Sequence, residues 1–397
     1  MTVRTPLPAH PSVLREREDD LAPHVTNMEL FFDLVYVFAI TQLSEYLGEH
    51  FGAHPVRVAL QTLVMFLAVW WAWNYTAWAT NWIDPERAPV ALLMLVLMAI
   101  SLVMSAAIPY AFDGRGITFA VAYVAIQLLR SAFMVWAFGR QTMGRNYAQL
   151  LAWSAIAGVA WVAGGFLHGD ARLVMWIVAL VLDLTAPMHG FALPGISGTP
   201  MEQWTLAGGH LAERMQLVLL IALGESVLRV GATFAEKTGT LVVDAAFLVA
   251  FIATASLWAV YFLRHAEHGA DAISHADDAA RLGRAGYAYA HAIMVAGVIV
   301  MAVAIAFTIE APTATGSAAA AATTLAAPII YLAGLVLFKH SVSRGQIRPP
   351  LIGIAVLVLL TPLAPLVSRL ALAAAATAVT AVLAIAAGRT ARVEPLR

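Results

Sequence analysis

The 397-residue sequence contains no cysteine, and only 12% of its residues are charged. Without cysteine the chain can form neither disulfides nor thiolate sites for iron–sulfur clusters. The charged share is about half of that usual in a soluble domain. The formal net charge of -1 argues against electrostatic binding of nucleic acid. Residues 1–27 lack the apolar region of a cleavable signal peptide, so we interpret them as a cytoplasmic polar tail.

Apolar residues are abundant instead and make up 61% of the chain. A soluble globule cannot bury so much apolar surface, because much of its exterior must face water. We therefore predict an all-α, polytopic transmembrane bundle of about twelve helices, with roughly 20 apolar residues in each span. The proline pair Pro362 and Pro365 leaves ten or eleven spans open as alternatives. The predicted spans are 28–47, 57–79, 88–109, 116–138, 148–167, 171–190, 207–230, 241–263, 285–309, 321–338, 350–367 and 370–387.

Lysine and arginine in the loops predict the orientation, since cytoplasmic loops carry an excess of both. With twelve spans and the N-terminus inside, the cytoplasmic segments hold 15 of these residues and the opposite segments hold six. Both chain termini are therefore expected on the cytoplasmic side of the membrane.

Similar runs recur in the two halves of the chain, in the same order. The matching pairs are Glu29 with Glu213, Trp71 with Trp258, and 103–108 with 300–305. Six is an even number, so two six-helix copies would enter from the same side and form parallel repeats. We predict repeats over 28–190 and 207–388, a linker over 191–206 and a cytoplasmic tail over 389–397. Chance similarity among Ala/Val/Leu helices is the alternative.

Ionisable side chains within spans are candidate functional residues, because charge is costly in a bilayer and usually faces the bundle interior. The candidates for binding a substrate or an ion are Glu29, Asp33, Arg130, Asp183, His210, Glu213, Arg214 and Glu225. In the predicted orientation most of them form a polar layer in the cytoplasmic half, where acids exceed arginines by two. Surplus carboxylates would attract a cation or share protons. The alternative is that these residues clamp helices together.

We expect different roles for two acids near the N-terminus of the first span. Thr26 and Glu29 fit a capping box, which accounts for Glu29 structurally. Asp33 lies one turn deeper, where an acid no longer complements the helix dipole, so we expect a functional role or a buried ion pair. Arg130 is the expected partner of Asp33 or Asp183, because buried charges need partners.

Glu225 and Arg229 are four residues apart in the order that favours an intrahelical ion pair. An acid at an outer gate is the alternative for Glu225. Five tryptophans crowd the second span and its cytoplasmic end, and we interpret them as packing and interfacial residues rather than as a site for a quaternary amine. They are Trp70, Trp71, Trp73, Trp78 and Trp82.

The polar loop after the eighth span contains the weak metal-ligand candidates His265, His268, Asp271 and His275. Histidines spaced by three residues near carboxylates can hold a transition metal, but flexible polar loops produce such runs by chance. We therefore expect no metal site and no cofactor. No nucleotide-binding, nucleophile-elbow or zincin motif is present, so we do not expect an enzyme.

Several motifs resemble those of the bacterial low temperature requirement A (LtrA) family. Residues 29–43 read Glu-Leu-Phe-Phe-Asp-Leu-Val-Tyr-Val-Phe-Ala-Ile-Thr-Gln-Leu, and further matching stretches are 79–85, 122–127, 210–214 and 221–226. The resemblance implies a bacterial inner-membrane protein linked to growth in the cold, but no reaction and no substrate. A second resemblance is to cation channels built from six-helix repeats, whose first helix has a similar run with glycine where this chain has Leu34.

These observations favour a transporter or channel-like protein for a cation or a proton-coupled small solute. The alternative is a non-transporting sensor or scaffold that supports envelope function at low temperature. The expected partners are the lipid bilayer, a cation or small-molecule substrate, and a second copy of the chain in a homodimer.

Overall fold

The computed structural model describes residues 13–15, 24–199, 204, 206–237, 239–263, 265–276, 278–342 and 346–391. Most of the predicted polar tail, 1–27, and residues 392–397 of the predicted C-terminal tail lie outside this part. In the described residues the fold is helical, and only two isolated β-bridges occur, Leu14 with Ile83 and Leu193 with Ile196. Eleven of the described helical segments are long and apolar enough to cross a membrane, and a shorter one covers Arg348–Leu363. The predicted multi-pass helical membrane protein is thus confirmed, and the eleven candidate spans among the described residues fall within the predicted range of ten to twelve.

The first six helices follow one another with short connections. They are α1 (Asn27–His50), α2 (Pro55–Ala79), α3 (Ala88–Ala107), α4 (Gly116–Phe138), α5 (Thr142–Phe166) and α6 (Gly169–Thr185). Short 3₁₀ turns, Ile108–Tyr110 and Ala186–His189, extend α3 and α6. The fifth helix starts six residues before the predicted position 148, because the polar stretch that follows Thr142 is helical.

The second half contains α7 (Gly208–Ala235), α8 (Leu241–Phe262), α9 (His265–Ser274), α10 (Ala279–Leu282), α11 (Ala290–Glu310), α12 (Ala318–Val342), α13 (Arg348–Leu359) and α14 (Arg369–Ala391). A π-helix, Gly283–Tyr289, joins α10 to α11, and a 3₁₀ turn, Thr361–Leu363, follows α13. The predicted span 350–367 is therefore broken near Pro362. Its helix is too short to cross a bilayer of about 30 Å, at 1.5 Å per residue.

Local sequence signals set several helix starts. The Thr240 hydroxyl accepts a hydrogen bond from the Val243 amide at 3.3 Å, and Ser317 and Ser368 accept equivalent bonds at the starts of α12 and α14. Such N-cap oxygens satisfy backbone amides that have no partner within the helix. The turn after α6 ends at Gly190, whose φ of 58° lies in the left-handed region that favours glycine.

The chain divides into two compact units. The first unit comprises Met1–Leu43, Leu60–Leu211 and Asp278–Arg281, and the second comprises Ser44–Ala59, Ala212–Asp277 and Leu282–Arg397. The predicted repeats and their boundaries stay predictions.

Different contacts pack each unit. In the first unit, Trp161 and Trp176 pack among aromatic rings of α4, α5 and α6, with their ring centroids 5.6 Å apart and their planes tilted by 45°. In the second unit α11 and α12 approach closely at two glycines. A Cβ on Gly297 would lie 2.7 Å from the Tyr331 amide nitrogen, and one on Gly334 would lie 2.8 Å from the Ala290 carbonyl oxygen. Small residues at such crossings let helix backbones pack tightly within a membrane.

Candidate functional site

Glu29 lies at the start of α1 and its side chain is fully buried in the first unit. The Thr26 amide and hydroxyl both donate to Glu29 Oε2, at 2.9 and 3.0 Å. The Glu29 amide in turn lies 3.4 Å from the Thr26 hydroxyl oxygen. The predicted capping box is therefore confirmed. A cap alone, however, leaves the negative charge of this buried carboxylate without compensation.

His210, at the start of α7, binds the second oxygen of that carboxylate. Its Nε2 lies 2.9 Å from Glu29 Oε1, and the side-chain amide of Asn81 lies 3.2 Å from its Nδ1. The orientation of Asn81 is fixed, because its Nδ2 donates to the Ala207 carbonyl at 2.9 Å and its Oδ1 accepts from the Ala207 amide at 2.8 Å. Asn81 therefore presents a donor to Nδ1, and the ring proton stands on Nε2, facing Glu29.

Arg15 supplies the positive charge next to Glu29. Its Nη2 donates to Glu29 Oε2 at 2.9 Å, and its Nε donates to the Thr80 carbonyl at 2.8 Å. The backbone around Arg15 pairs with the loop after α2 as an antiparallel bridge between Leu14 and Ile83. Part of the segment interpreted as a polar tail thus packs on the first unit. No pattern in the sequence indicated Arg15, because a charged residue outside the spans is normally solvated.

Asp33 lies one turn further along α1, also fully buried. Its Oδ1 accepts a hydrogen bond of 2.7 Å from the indole Nε1 of Trp73. Trp73 therefore orients a carboxylate, in addition to the packing role expected for the tryptophans of α2. All five of these tryptophans are buried.

A second polar cluster joins α2, α4, α5 and α6 in the first unit. Asp183 Oδ2 accepts hydrogen bonds from the Tyr123 hydroxyl at 2.8 Å and from the Trp161 indole at 2.9 Å. The Tyr123 oxygen accepts from Gln127 Nε2 at 2.8 Å, and the Gln127 carbonyl oxygen accepts from Arg130 Nη2. Four side chains with little or no exposure thus form one hydrogen-bonded series with a carboxylate at one end and a guanidinium at the other.

The direct ion pair expected between Arg130 and Asp183 is therefore replaced by a connection through Tyr123 and Gln127. The Arg130 guanidinium lies over the Tyr75 ring, 5.3 Å from its centroid, and Nη1 donates to Thr76 Oγ1 and the Ala72 carbonyl at 3.4 Å. All of these partners are neutral. Helical spacing on α4 brings 123, 127 and 130 to one face, which is why the series can form.

The other candidates lie on α7 in the second unit. Arg214 and Glu225 are buried, and Glu213 is half-buried. Arg229 pairs with Glu45 Oε1 at 3.5 Å and donates to the Ser44 hydroxyl at 3.2 Å. Its partners are thus on α1, instead of the intrahelical Glu225 that the spacing favoured. The eight candidates divide into five in the first unit and three in the second.

The second unit also contains a buried histidine within an aromatic cluster. His291 Nδ1 lies 3.1 Å from the Tyr287 carbonyl oxygen and Nε2 lies 2.8 Å from the Tyr261 hydroxyl. The rings of Tyr261, Tyr287 and Phe338 each lie 5.3–5.4 Å from the imidazole. A carbonyl only accepts, so Nδ1 carries the proton and Tyr261 donates to Nε2 of a neutral ring.

The weak metal-ligand candidates lie on or beside α9. His275 Nδ1 contacts the Asp271 backbone oxygen at 2.9 Å. Among the residues that the structure describes, no group of three or more histidine, aspartate or glutamate side chains is arranged to hold a metal ion.

Comparison with known proteins agrees with the motifs. The family model described as Bacterial low temperature requirement A protein (LtrA) matches residues 24–385. A protein of Rhizobium meliloti (strain 1021), called Uncharacterized protein RA0937, is 35% identical over 334 residues, which cover 83% of this chain and 80% of that protein. No solved structure matches the chain.

Proposed function

Because this chain belongs to the bacterial low temperature requirement A (LtrA) family, we propose that it is an inner-membrane transporter or channel-like protein. It moves a cation or a proton-coupled small solute and supports growth in the cold. The observation that carries the proposal is the buried series Asp183–Tyr123–Gln127–Arg130 in the first unit. A structural clamp could be built from apolar residues at lower cost, so charge at this position is typical of a transport pathway.

Separated charges support this proposal more than a direct ion pair would. In a direct ion pair the two charges largely compensate each other, so the pair attracts a passing ion only weakly. In the first unit the carboxylate of Asp183 and the guanidinium of Arg130 are held apart by two neutral side chains. A proton or cation that reached the carboxylate would change the charge of the series without first breaking an ion pair. Asp33, fixed by Trp73, offers a further carboxylate in the same unit.

The experiment is ion flux in proteoliposomes that contain the purified full-length protein. The probes are radioactive sodium, radioactive rubidium and a pH indicator enclosed in the vesicles. We expect flux of at least one of them with the wild-type chain, and its loss in Asp33→Asn. Asparagine can still accept the 2.7 Å bond from Trp73 but cannot ionise, so the amount of protein in the membrane should stay near the wild-type level.

The matched control is Asp244→Asn, an exposed acid in the first turn of α8. It should retain wild-type flux, since an exposed carboxylate at a helix start is solvated. Asp33→Asn protein that is present in normal amount and conducts as well as the control would contradict the assignment of Asp33 to the pathway.

A non-transporting scaffold is the second candidate function. It is favoured by the environment of Glu29, whose two carboxylate oxygens are already bound by Arg15, Thr26 and His210. Absence of flux for all three probes, together with restored growth in the cold by an Asp33→Asn gene, would support the scaffold over the transporter.

A further inference from the structure

We propose that Asp183 is a proton-binding site, at which a proton from water binds Oδ1 while Oδ2 keeps its hydrogen bonds from Tyr123 and Trp161. This inference rests on the proposed function and deepens it, because it names the proton as the ion that this site accepts. Protonation can be measured without flux, so the site and the transport function can fail separately.

The two oxygens of the Asp183 carboxylate have different surroundings. Oδ2 accepts hydrogen bonds from the Tyr123 hydroxyl at 2.8 Å and from the Trp161 indole at 2.9 Å. Within the described part of the chain no group donates to Oδ1, and this oxygen is not among the fully enclosed polar atoms there. Asp183 is 7% exposed, whereas Tyr123 and Trp161 are 1% and 0% exposed. Oδ1 is therefore the oxygen that an incoming proton can reach.

The hydrogen bonds of the series all point toward Asp183. A guanidinium only donates, so Gln127 turns its carbonyl oxygen to Arg130 and its amide nitrogen to the Tyr123 oxygen. The Tyr123 hydroxyl proton is then directed at Oδ2. A carboxylic acid that is protonated on Oδ1 retains Oδ2 as a carbonyl acceptor. The site can thus gain and lose a proton without rearrangement of the series.

The charges around Asp183 allow the proton to exchange. In the described residues, the charged and titratable side chains that face Asp183 are Arg130 and Tyr123 of α4. Helix α5 contributes the neutral Trp161 indole, and His189 in the turn after α6 is exposed. Burial favours the neutral acid, whereas the guanidinium favours the carboxylate. Uptake of one proton changes the charge of the series from zero to +1.

The groups bonded to Asp183 do not suit a metal cation, because hard cations are held by several oxygen ligands. The Trp161 indole only donates, and the Gln127 carbonyl oxygen is already bound by Arg130. Oδ1 is thus an open carboxylate oxygen beside hydrogen-bond donors. This arrangement fits a proton better than sodium or rubidium, and buried acids within spans are typical of proton pathways.

The position of Asp183 in α6 gives a proton a short path from water. The helix ends at Thr185, two residues after Asp183, and a 3₁₀ turn with the exposed His189 follows. Polar side chains at the end of a spanning helix lie near the membrane surface. The proton therefore crosses only about one helical turn to reach Oδ1.

The test is infrared difference spectroscopy of the full-length protein in lipid vesicles while the pH of the buffer is changed. We expect a carboxylic acid C=O band that appears as the pH is lowered and that shifts when aspartate is labelled with carbon-13. Asp183→Asn should lose this band, because asparagine accepts the same two hydrogen bonds but does not ionise. The matched control is the exposed acid variant Asp244→Asn, which should retain it.

Tyr123→Phe tests which oxygen carries the proton. With the proton on Oδ1, the Oδ2 carbonyl loses one donor in this variant, so the band should move to higher frequency. A purely structural role of Asp183 would produce no such pH-dependent band. If Asp183→Asn does not fold, the carbon-13 shift and the displacement in Tyr123→Phe assign the band.

The proposal is overturned if no pH-dependent band is found, or if the band is the same in Asp183→Asn and Tyr123→Phe as in the wild type. Sodium or rubidium flux that requires Asp183 would also contradict it. Failure of the proposed function would look different, as absence of flux for every probe with the Asp183 band intact.

Discussion

Each unit contains a buried tyrosine that hydrogen-bonds an ionisable side chain, but the last group in the hydrogen-bonded series differs between the two clusters. In the first unit the Tyr123 hydroxyl donates to Asp183 and accepts from Gln127, so the series continues to Arg130. In the second unit Tyr261 binds His291, and the imidazole ends on a backbone carbonyl of the π-helix. The first cluster joins two formal charges, whereas the second closes on neutral groups. Similar parts therefore connect two ionisable side chains in one unit and end on a backbone carbonyl in the other.

The aromatic surroundings sharpen this contrast. His291 is enclosed by three rings, and one of them, that of Tyr287, stacks on the imidazole with an interplanar angle of 7°. Such contacts favour a neutral, fixed ring. A π-helix often marks a functional position, but here it presents the Tyr287 carbonyl that fixes the histidine tautomer. The two clusters therefore differ in the group at their far end, which is the Arg130 guanidinium in the first and the Tyr287 backbone carbonyl in the second.

The largest expected effect is on transport, from the pair Asp183→Asn and His291→Gln. An asparagine side chain in the first variant can still accept the bonds from Tyr123 and Trp161 but cannot ionise, so flux in proteoliposomes should fall by about a hundredfold, equivalent to ~2.7 kcal/mol. His291→Gln should leave flux within about twofold, because a neutral group replaces a neutral group. If His291→Gln lowered flux more than Asp183→Asn did, the proposed difference between the two clusters would be wrong.

A smaller effect is expected on stability when each tyrosine loses its hydroxyl. Tyr123→Phe removes a bond to a charged acceptor and should lower the free energy of unfolding by about 1.5–3 kcal/mol, against roughly 0.5–1.5 kcal/mol for Tyr261→Phe. Denaturant unfolding in detergent, with tryptophan fluorescence as the signal, measures both. Equal losses would mean that the bond to Asp183 is not charge-assisted.

The smallest effect concerns packing around His291. A Cβ on Gly269 would lie 2.5 Å from the ring tip of Phe338 and 2.9 Å from the Tyr287 hydroxyl. Gly269→Ala should therefore cost about 1–2 kcal/mol in the same unfolding measurement, since the rings are packed and cannot move freely. Gly231→Ala is the matched control in α7, where a Cβ meets nothing within 4 Å. It should be neutral or stabilise by up to about 1 kcal/mol. A tolerated Gly269→Ala would show that the aromatic cluster is loosely packed.

Much of the helical framework was predictable, because span length and apolar content follow directly from bilayer thickness. The fourth predicted span, 116–138, agrees with α4 at both ends. The predicted span 350–367 was too long, because its helix ends at Leu359, shortly before Pro362. The capping box at Thr26 and Glu29 was also predictable, because both partners are three residues apart on one chain segment.

The partners of the candidate residues were much less predictable. Arg130 was expected to pair directly with an acid, yet it reaches Asp183 through Tyr123 and Gln127. Glu29 was explained as a cap, yet it also binds Arg15 and His210. Helical periodicity tells which residues share a face, but not which face of another helix lies opposite.

Arg15 is the clearest case of this limit. By sequence alone, the composition of the chain determined a multi-pass helical membrane protein with costly charges inside its spans, because water-to-bilayer transfer depends on each segment by itself. Only the tertiary structure decided that an arginine outside the spans binds Glu29 and that Asn81 contacts His210. The partners are 14 and 129 positions apart, and packing brings such distant groups within hydrogen-bonding distance.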